Sequence, residues 1–441
     1  MAELQIGIQL RVEIPENGLS INNLLYQIKQ IIPKIFFGIL EAILSAVEQR
    51  RIERLQESAP GRYVRNGLRP QPRQLQTAFG KFGYRMARVL DKDTGHTFCP
   101  LLGEIGLAAY QRTSEASAEG GIGLVCHVSY RKSVKEVDRI LGTGMSRSTL
   151  HRQTQRFGQQ QCGWPDMKRL GYRFLMVDGT KVRLQQKGKD GIKSRKVEMR
   201  WALASVDEHQ QFDLVGIWID GSWKQVRQDL ERRLDYGKLE VLFSDGGPGI
   251  EENLIRSGMR CQRCVWHAKR DFPYVLYADQ VKKPQQGPLK QAMDSIELMK
   301  LTKAKLEKIS PAEAQRVLDL ADKTKQGFVQ LLEVLPEDTY PHARTYIQNL
   351  ASQVTTFFDF WLQHKVWIPI TTNAIENAFS QVKNRIWAVG KRWSEHGLMN
   401  WLKVVVYKVF YPQSWDRVWE QYLGLDPRLR ITITGVSYQW I

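Results

Sequence analysis

The stretch that decides the fold is Tyr172-Arg173-Phe174-Leu175-Met176-Val177-Asp178-Gly179-Thr180. A second stretch repeats its pattern and reads Leu239-Glu240-Val241-Leu242-Phe243-Ser244-Asp245-Gly246-Gly247. Each predicts a buried strand whose last residue is an aspartate before a glycine turn. A carboxylate at the rim of a buried sheet can be reached by a hard cation from solvent. Taken singly, Asp-Gly after a strand is usually only a turn, so each aspartate needs support from the rest of the chain.

A third carboxylate, Glu376, opens a helical pattern far downstream. Asn373 followed by Glu376 resembles a capping box, and this reading is as compatible with the sequence as a catalytic role. At 3.6 residues per turn, Glu376 and Lys383 share one face with Ser380, and the apolar residues Ile375, Phe379 and Val382 share another. A metal-binding carboxylate and a phosphate-contacting lysine would therefore stand two turns apart.

The composition points to a polyanionic partner. The chain has 441 residues, enough for two or three domains, and its 64 Lys and Arg exceed its 46 Asp and Glu to give a net charge of +18 and a pI of about 9.6. Nucleic acid is the leading candidate, and an anionic membrane is the competitor. The most apolar stretch, residues 31–47, contains Pro33, Lys34 and Glu41, so we expect an amphipathic packing helix and no membrane partner.

Features of the N-terminus and the cysteines indicate the compartment. The first residues lack the basic region and apolar core of a secretory signal, which predicts a cytoplasmic protein. The five cysteines are sparse and odd in number, which predicts reduced thiols rather than a disulfide framework.

The first 165 residues divide into two predicted regions. Residues 1–60 have helical periodicity, and residues 61–165 form a predicted DNA-binding region. From Arg50 to Arg88, ten basic residues face only Glu53 and Glu57, with prolines between them. This basic segment is either a solvated face or a phosphate-binding arm.

Residues 133–158 have the spacing of a helix-turn-helix. Ser133 with Glu136 predicts the start of a first helix, the run from Gly142 to Gly144 breaks it, and Ser146 caps a second one. The second helix would present Arg147, Ser148, His151, Arg152 and Gln155 to phosphates and base edges in a major groove. Two short helices around a glycine turn also occur in plain helical cores, and this alternative stays open. Pro165 marks the predicted end of the region.

The following elements predict an α/β domain with a ribonuclease H-like order: three strands, a helix and a fourth strand. In that fold the first and fourth strands are neighbours, which would bring Asp178 and Asp245 together. We predict a catalytic domain, with a mixed sheet flanked by helices, over residues 166–267 and 368–411. A helical insertion covers 268–367, a C-terminal tail covers 412–441, and the N-terminal DNA-binding region is predicted to be mainly helical.

Cys261-x-x-Cys264-x-x-His267 offers three possible zinc ligands. A closed structural zinc site needs four, and no further Cys or His pair lies nearby in the sequence, so zinc is not expected. The alternative is a pair of buried thiols with a hydrogen-bonded histidine.

Taken together, these residues resemble the DDE-type transposases of bacterial insertion sequences, in particular the mutator-like group with an all-helical insertion in its ribonuclease H-like domain. The resemblance covers roughly residues 50–411 and is densest around Asp178, Asp245 and residues 263–267 and 373–385. Cys264 and His267 fit the family motif of Cys or Asp, two residues and His, which replaces the zinc interpretation. Lys383 fits the family's basic position, and Cys261 fits none.

The resemblance implies that Asp178, Asp245 and Glu376 hold two Mg²⁺ ions, which Mn²⁺ can replace. The implied reactions are hydrolysis of a phosphodiester at the element end and strand transfer to target DNA. Implied partners are double-stranded DNA, as terminal inverted repeats and target, and further copies of the chain in a homodimer or larger assembly; the implied location is the bacterial nucleoid. The predicted DNA-contacting residues are Lys383, Arg385, Arg147, Ser148, His151, Arg152 and Lys181.

Two other functions remain compatible with the sequence. A ribonuclease H-like nuclease or resolvase would cleave DNA without joining it. A non-catalytic DNA-binding descendant of a transposase is the other alternative, and the three intact carboxylates disfavour it.

Overall fold

The computed structural model describes residues 3–14, 20–108, 110–142, 144–164, 167–188, 191–207, 211–301, 313–389 and 393–433. The chain divides into two compact units. The first comprises residues 1–161 and 412–441, and the second comprises residues 162–411. The predicted boundary residue Pro165 lies outside the described residues.

The first unit begins with a long helix and a small group of strands. Helix α1 spans Ile21–Ser58, and its N-cap is Ser20, whose side chain accepts from the amide of Asn23. The strands are β1 (Tyr63–Leu68), β2 (Arg73–Thr77), β3 (Gly80–Tyr84), β4 (Ala87–Asp91) and β5 (Thr97–Phe98). They form a three-stranded sheet in the order β1-β4-β5 and a β2–β3 hairpin.

These strands qualify one prediction. Helices still account for more of the N-terminal region than strands do, but the basic segment is folded: residues 50–58 continue α1, and most of the rest lies in or between β1–β4. The alternation of buried and exposed residues is that of a strand: β3 buries Gly80, Phe82 and Tyr84 and exposes the residues between them. Arg62 is used internally, since it forms a bidentate pair with Asp91 at 2.9 and 2.7 Å. Arg62 lowers the pKa of Asp91 to about 2.

Helix α1 packs over only part of its length. Phe37, Leu40 and Leu44 contact the cluster formed by Phe82, Tyr84, Met86 and Leu101. Nearer its start, Ile21, Leu25 and Ile28 are exposed. By length and composition alone, α1 is also apolar enough to cross a membrane: an 18-residue window has a mean hydropathy of 1.7, and no part of that window is buried. The expected absence of a membrane partner therefore stays a prediction.

The predicted helix-turn-helix consists of α4 (Tyr130–Leu141) and α5 (Arg147–Gln160). Ser129 caps α4, whereas Ser133, the predicted start, lies buried inside the helix and donates to the carbonyl of Ser129. Gly142 ends α4 in the left-handed conformation, and Ser146 caps α5 as predicted. Before them lie α2 (Leu101–Glu104) and α3 (Glu119–Val125).

The predicted C-terminal tail begins with a helix, α16 (Pro412–Leu423), that belongs to the first unit. Its Trp415 and Trp419 are buried. Trp419 stacks on Phe157 of α5 with 4.3 Å between ring centroids, and Trp415 meets the same ring edge-on. Because the indoles cover the apolar face of α5, its polar face is left to solvent.

The second unit contains a sheet of β6 (Phe174–Gly188), β7 (Gly191–Ser205), β8 (Asp213–Ile219), β9 (Val241–Ser244) and β10 (Arg260–Arg263). Its order is β10-β9-β6-β7-β8. β7 is antiparallel to β6 and β8, and β9 is parallel to β6 and β10. The first and fourth strands of the domain are therefore neighbours, as the sequence predicts.

One face of this sheet carries α6 (Trp223–Arg233) and α7 (Ile250–Leu254). Leu175 and Val177 of β6 pack with Val226 and Leu230 of α6 in a buried cluster. Each such side chain contributes about 1.5–3 kcal/mol when fully buried. The apolar residues that precede Asp178 thus fix its strand in the core.

A series of helices separates β10 from the return of the chain to the sheet. They are α8 (Val265–Ala278), α9 (Gly287–Ser295), α10 (Glu297–Lys300), α11 (Ala314–Glu333), α12 (Pro341–Val354) and α13 (Thr356–His364). The chain then enters α14 (Asn373–Val389) and α15 (Glu395–Val409). Ile375, Phe379 and Val382 are buried on α14, which confirms its predicted apolar face.

Candidate functional site: a cluster of carboxylates

Strand pairing places the two aspartates side by side. The parallel register of β6 and β9 matches Phe174 with Val241 and Met176 with Phe243. Continued two residues beyond the last of these pairs, this register would set Asp178 against Asp245, and the charge of Asp245 does act on Asp178. Adjacent strands lie about 4.8 Å apart, so both carboxylates project at the same end of β9.

Asp178 is not the last residue of its strand, contrary to the prediction. β6 continues for ten residues beyond it, and Gly179 is part of the strand rather than a turn. A Cβ at Gly179 would lie 2.5 Å from Oε1 of Glu198 on β7, the end of a flexible side chain that can move aside. Asp178 therefore lies within a long ladder, and its side chain is only 6% exposed.

Asp245 does follow the end of its strand, as predicted. Its Oδ1 accepts from the amide of Gly247 at 2.9 Å, and Gly246 has φ +82°. A side chain at Gly246 would meet the Arg263 guanidinium at 2.2 Å. The turn therefore needs glycine both for its left-handed backbone and for the approach of Arg263.

Two helix starts supply the remaining groups of the site. Cys264 is the N-cap residue of α8, and the amide of Val265 donates to the carbonyl of Ile370, just before α14. His267, in the first turn of α8, has Nδ1 at 3.1 Å from Cys264 Sγ and at 3.3 Å from Thr372 Oγ1. Its Nε2 lies 3.5 Å from Oε1 of Glu376, which is in the first turn of α14. His267 thus connects the family motif residue Cys264 to the third carboxylate.

The charges of Asp245 and Glu376 both act on Asp178. Burial, with the neighbouring charges of these two carboxylates, raises the pKa of Asp178 from its ordinary value of 3.8 to about 7, against the lowering by the Gly179 amide and His267. Asp178, Asp245, His267 and Glu376 therefore belong to one electrostatic cluster. The predicted capping box of Asn373 with Glu376 does not match the helix start, because Asn373 is already the first helical residue. Glu376 Oε1 is buried and has no hydrogen-bond partner among the described residues.

The Cys264–His267 contact is polarised. Burial alone would raise the pKa of Cys264, but hydrogen bonds from His267 and Thr372 outweigh it and lower the pKa. Burial alone would lower the pKa of His267, but the contact with Cys264 raises it. Cys261 differs, since burial raises the pKa of its thiol to about 12. All five cysteines are free thiols.

Arg270 is a site residue that the sequence reasoning missed. Its pKa is lowered by burial but raised overall by Asp271, Asp245 and Glu376, so its charge reaches two of the three carboxylates. Arg270 lies one helical turn after His267 on α8. This i, i+3 spacing places both side chains on one face of the helix and could have predicted Arg270 as a neighbour of the site.

The predicted DNA-contacting residues lie on three separate elements. Lys383 is exposed on α14, about 10 Å along the helix axis from Glu376, whereas Arg385 is half-buried and donates to the carbonyl of Gln381. Lys181 is exposed on β6. Arg147, Ser148, His151 and Arg152 are exposed on α5 of the first unit, where the His151 ring meets Tyr130 edge-on at 5.1 Å.

The donor set suits a hard cation in some respects. Asp178, Asp245 and Glu376 offer only oxygen atoms, and Glu376 Oε1 is buried without a hydrogen-bond partner in the described structure. No group of three Asp, Glu, His or Cys among the described residues is already arranged around a common metal position. Mg²⁺ usually takes one or two carboxylates and completes its shell with water and substrate phosphates, so pairs of these residues fit it.

The fold and site define an α/β protein with clustered carboxylates where β9 ends beside β6 and two helix starts. The chain belongs to the uncharacterised protein family UPF0236, whose sequence profile matches residues 14–246. That match includes Asp178 and Asp245 and ends before the helix that carries Glu376. No curated protein matches the chain.

Among solved structures, the chain is similar to the Drosophila P element transposase in its strand transfer complex. The similarity covers 70% of this chain and 95% of that chain, with 11% sequence identity and a TM-score of 0.36.

Proposed function

We propose that this protein is a DNA transposase that hydrolyses a phosphodiester at the end of a mobile element and joins the freed end to target DNA. The action of the Asp245 and Glu376 charges on the buried Asp178 carries the proposal. A buried carboxylate beside two further negative charges is costly to ionise unless cations neutralise them. The strand order β10-β9-β6-β7-β8 supports a ribonuclease H-like core as the scaffold.

In the proposed mechanism, Asp178, Asp245 and Glu376 hold the metal ions. Mg²⁺ or Mn²⁺ would supply charge stabilisation for the attacking and leaving oxygens of an in-line displacement. His267 places Nε2 beside Glu376 Oε1, while Cys264 and Thr372 fix the ring through Nδ1. Arg270 and Lys383 supply positive charge beside the acidic cluster and position phosphates of the bound strand.

The proposed activity has a direct test. Inverted repeats in the DNA beside the gene would provide the element end, and purified protein with Mg²⁺ should join a precleaved copy of that end to a plasmid. Asp178→Asn, Asp245→Asn and Glu376→Gln should each lower joining by about a thousandfold, the size expected for losing several kcal/mol of transition-state stabilisation. Asp235→Asn, at an exposed ion pair with Lys238, is the matched control and should retain joining.

The outcomes separate the alternatives. Cleavage of the intact end without joining would replace the transposase by a nuclease of the same fold. DNA binding with neither reaction would favour a non-catalytic descendant. Full joining by all three carboxylate variants would show that the assigned residues are wrong.

A further inference from the structure

The β6–β7 hairpin extends well beyond the sheet to which it belongs. β9 pairs with β6 only from Phe174 to Met176, and β8 pairs with β7 only from Met199 to Ala204. The pairing of β6 with β7 continues to Gly188 and Gly191. Residues 181–188 and 191–198 thus form a two-stranded ribbon. At about 3.4 Å per residue, it projects roughly 25 Å past the sheet.

One face of the ribbon is anchored. Val182, Leu184 and Val197 are buried. The amide of Gln185 donates to the carbonyl of Trp393 at 2.7 Å, and Leu184 forms an isolated parallel bridge with the same residue. A two-stranded ribbon alone is marginally stable, so this covered face holds it in place.

The opposite face is polar and basic. Its described residues include the exposed Lys181, Arg183 and Lys196, against one acidic residue, Glu198. On the outward face, cross-strand register pairs Lys181 with Glu198, Arg183 with Lys196 and Gln185 with Ser194. The acid on this face, Glu198, is already engaged by Arg200.

Arg183 and Lys196 are therefore like charges directly opposite each other. Both are exposed, and neither has an anionic partner among the described residues. Such a pair destabilises an antiparallel ladder, typically by about 0.2–1 kcal/mol. An external anion seated between the two cations would remove that penalty.

We propose that this face of the ribbon, Lys181, Arg183 and Lys196, binds the phosphate backbone of duplex DNA. The major groove admits a two-stranded β-ribbon, and duplex DNA presents phosphates along both groove walls. An anionic membrane fits less well, because the face has no apolar side chain to bury in a bilayer. The inference rests on the proposed function, because it takes DNA as the partner. What it adds is a DNA-binding surface outside the carboxylate cluster.

Arg183→Glu separates DNA binding from folding. The variant places Glu opposite Lys196, which converts a repulsive cross-strand pair into an attractive one, so the unfolding temperature should stay the same or rise. Lys325→Glu, at an exposed lysine on α11, makes the same change in net charge and is the matched control. Binding of a 30-base-pair duplex would be followed by fluorescence anisotropy at several salt concentrations.

The expected result is that Arg183→Glu binds the duplex at least about tenfold more weakly than Lys325→Glu at 0.15 M salt. The slope of log affinity against log salt should also fall by about one for each phosphate that the ribbon no longer neutralises. The double variant Arg183→Gln/Lys196→Gln should show the same weaker binding as Arg183→Glu. It provides a second measurement if the reversed charge of Arg183→Glu disturbs folding. Anionic phospholipid vesicles serve as the second probe.

Equal duplex affinity of Arg183→Glu and Lys325→Glu would overturn the ribbon inference. The inference would also fail if Arg183→Glu lost binding to the vesicles but kept its binding to the duplex. If the unmodified protein also joins element ends, the proposed function stands without the ribbon. If duplex binding depends on the ribbon but no joining occurs, the ribbon stands and the proposed function fails. If the unmodified protein binds no duplex, both fail.

Discussion

Asp178 and Asp245 lie on neighbouring parallel strands, but their surroundings differ. Asp178 is 6% exposed inside a fifteen-residue strand, whereas Asp245 is half-buried in a turn that begins where its strand ends. The backbone at Asp178 is held by pairing with Trp201 on β7. The two positions therefore combine a carboxylate held inside a strand with one in a turn. Under the proposed function, the turn would let the metal site accommodate a changing substrate.

The largest expected effect comes from adding one methylene at each position. Asp178→Glu forces extra volume into a buried ladder, so we expect a loss of joining near the thousandfold level of Asp178→Asn. Asp245→Glu lengthens a side chain in a half-exposed turn and should retain at least about tenfold more joining than Asp178→Glu. Rates of end joining at saturating Mg²⁺ check this. Equal losses would mean that burial does not distinguish the two sites.

A smaller effect should appear in the stability of the metal-free protein. Because the folded-state pKa of Asp178 is raised to about 7 from 3.8, its favourable contribution is complete below about pH 4 and is lost as pH rises through 7. Asp178→Asn cannot ionise, so relative to the unmodified protein it should gain stability on going from pH 5 to pH 8, on the order of 2 kcal/mol.

Urea unfolding with a chelator present measures this gain, and Asp235→Asn is the control. A parallel pH dependence of the Asp178→Asn and unmodified proteins would contradict the raised pKa.

The smallest effect concerns the two glycines. Gly246→Ala must adopt a positive φ and meet Arg263, so we expect a loss of about 1–2 kcal/mol. Gly179→Ala has ordinary strand geometry, and its contact is with the end of the flexible Glu198 side chain, so we expect less than about 1 kcal/mol. Midpoints of urea unfolding rank the two variants. A greater loss of stability for Gly179→Ala than for Gly246→Ala would contradict the assignment of the strained backbone to Gly246.

Much of the second unit follows from its sequence pattern. Apolar runs at Phe174–Val177 and Val241–Ser244 are too hydrophobic for anything but buried strands, and their order predicts their adjacency. The apolar spacing of Ile375, Phe379 and Val382 predicts the face that α14 buries. Local patterning also identifies α5 and its cap, Ser146.

Other features depend on contacts that a linear pattern does not contain. The strand continues after Asp178 with Val182 and Leu184 alternating with basic and amide residues, but Gly179 next to Asp178 indicates a turn until the pairing with β7 is known. The strands β1–β5 are short and interrupted by prolines, so neither period is sustained. The contact of His267 with Glu376 joins residues 109 positions apart, and only the pairing of the α8 start with residue 370 brings them together.

The β6–β7 ladder has a mechanical consequence. Its register runs from the Phe174–Ser205 pair to the Gly188–Gly191 pair without a shift, whereas the β7–β8 ladder is interrupted between Ala202 and Leu203. An unbroken ladder resists shear because every hydrogen bond along it shares the load, while a bulge concentrates bending at one point. A force applied at the far end of the hairpin is therefore transmitted to the backbone of Asp178 with little deformation of the β6–β7 ladder. The bending occurs instead where β7 pairs with β8.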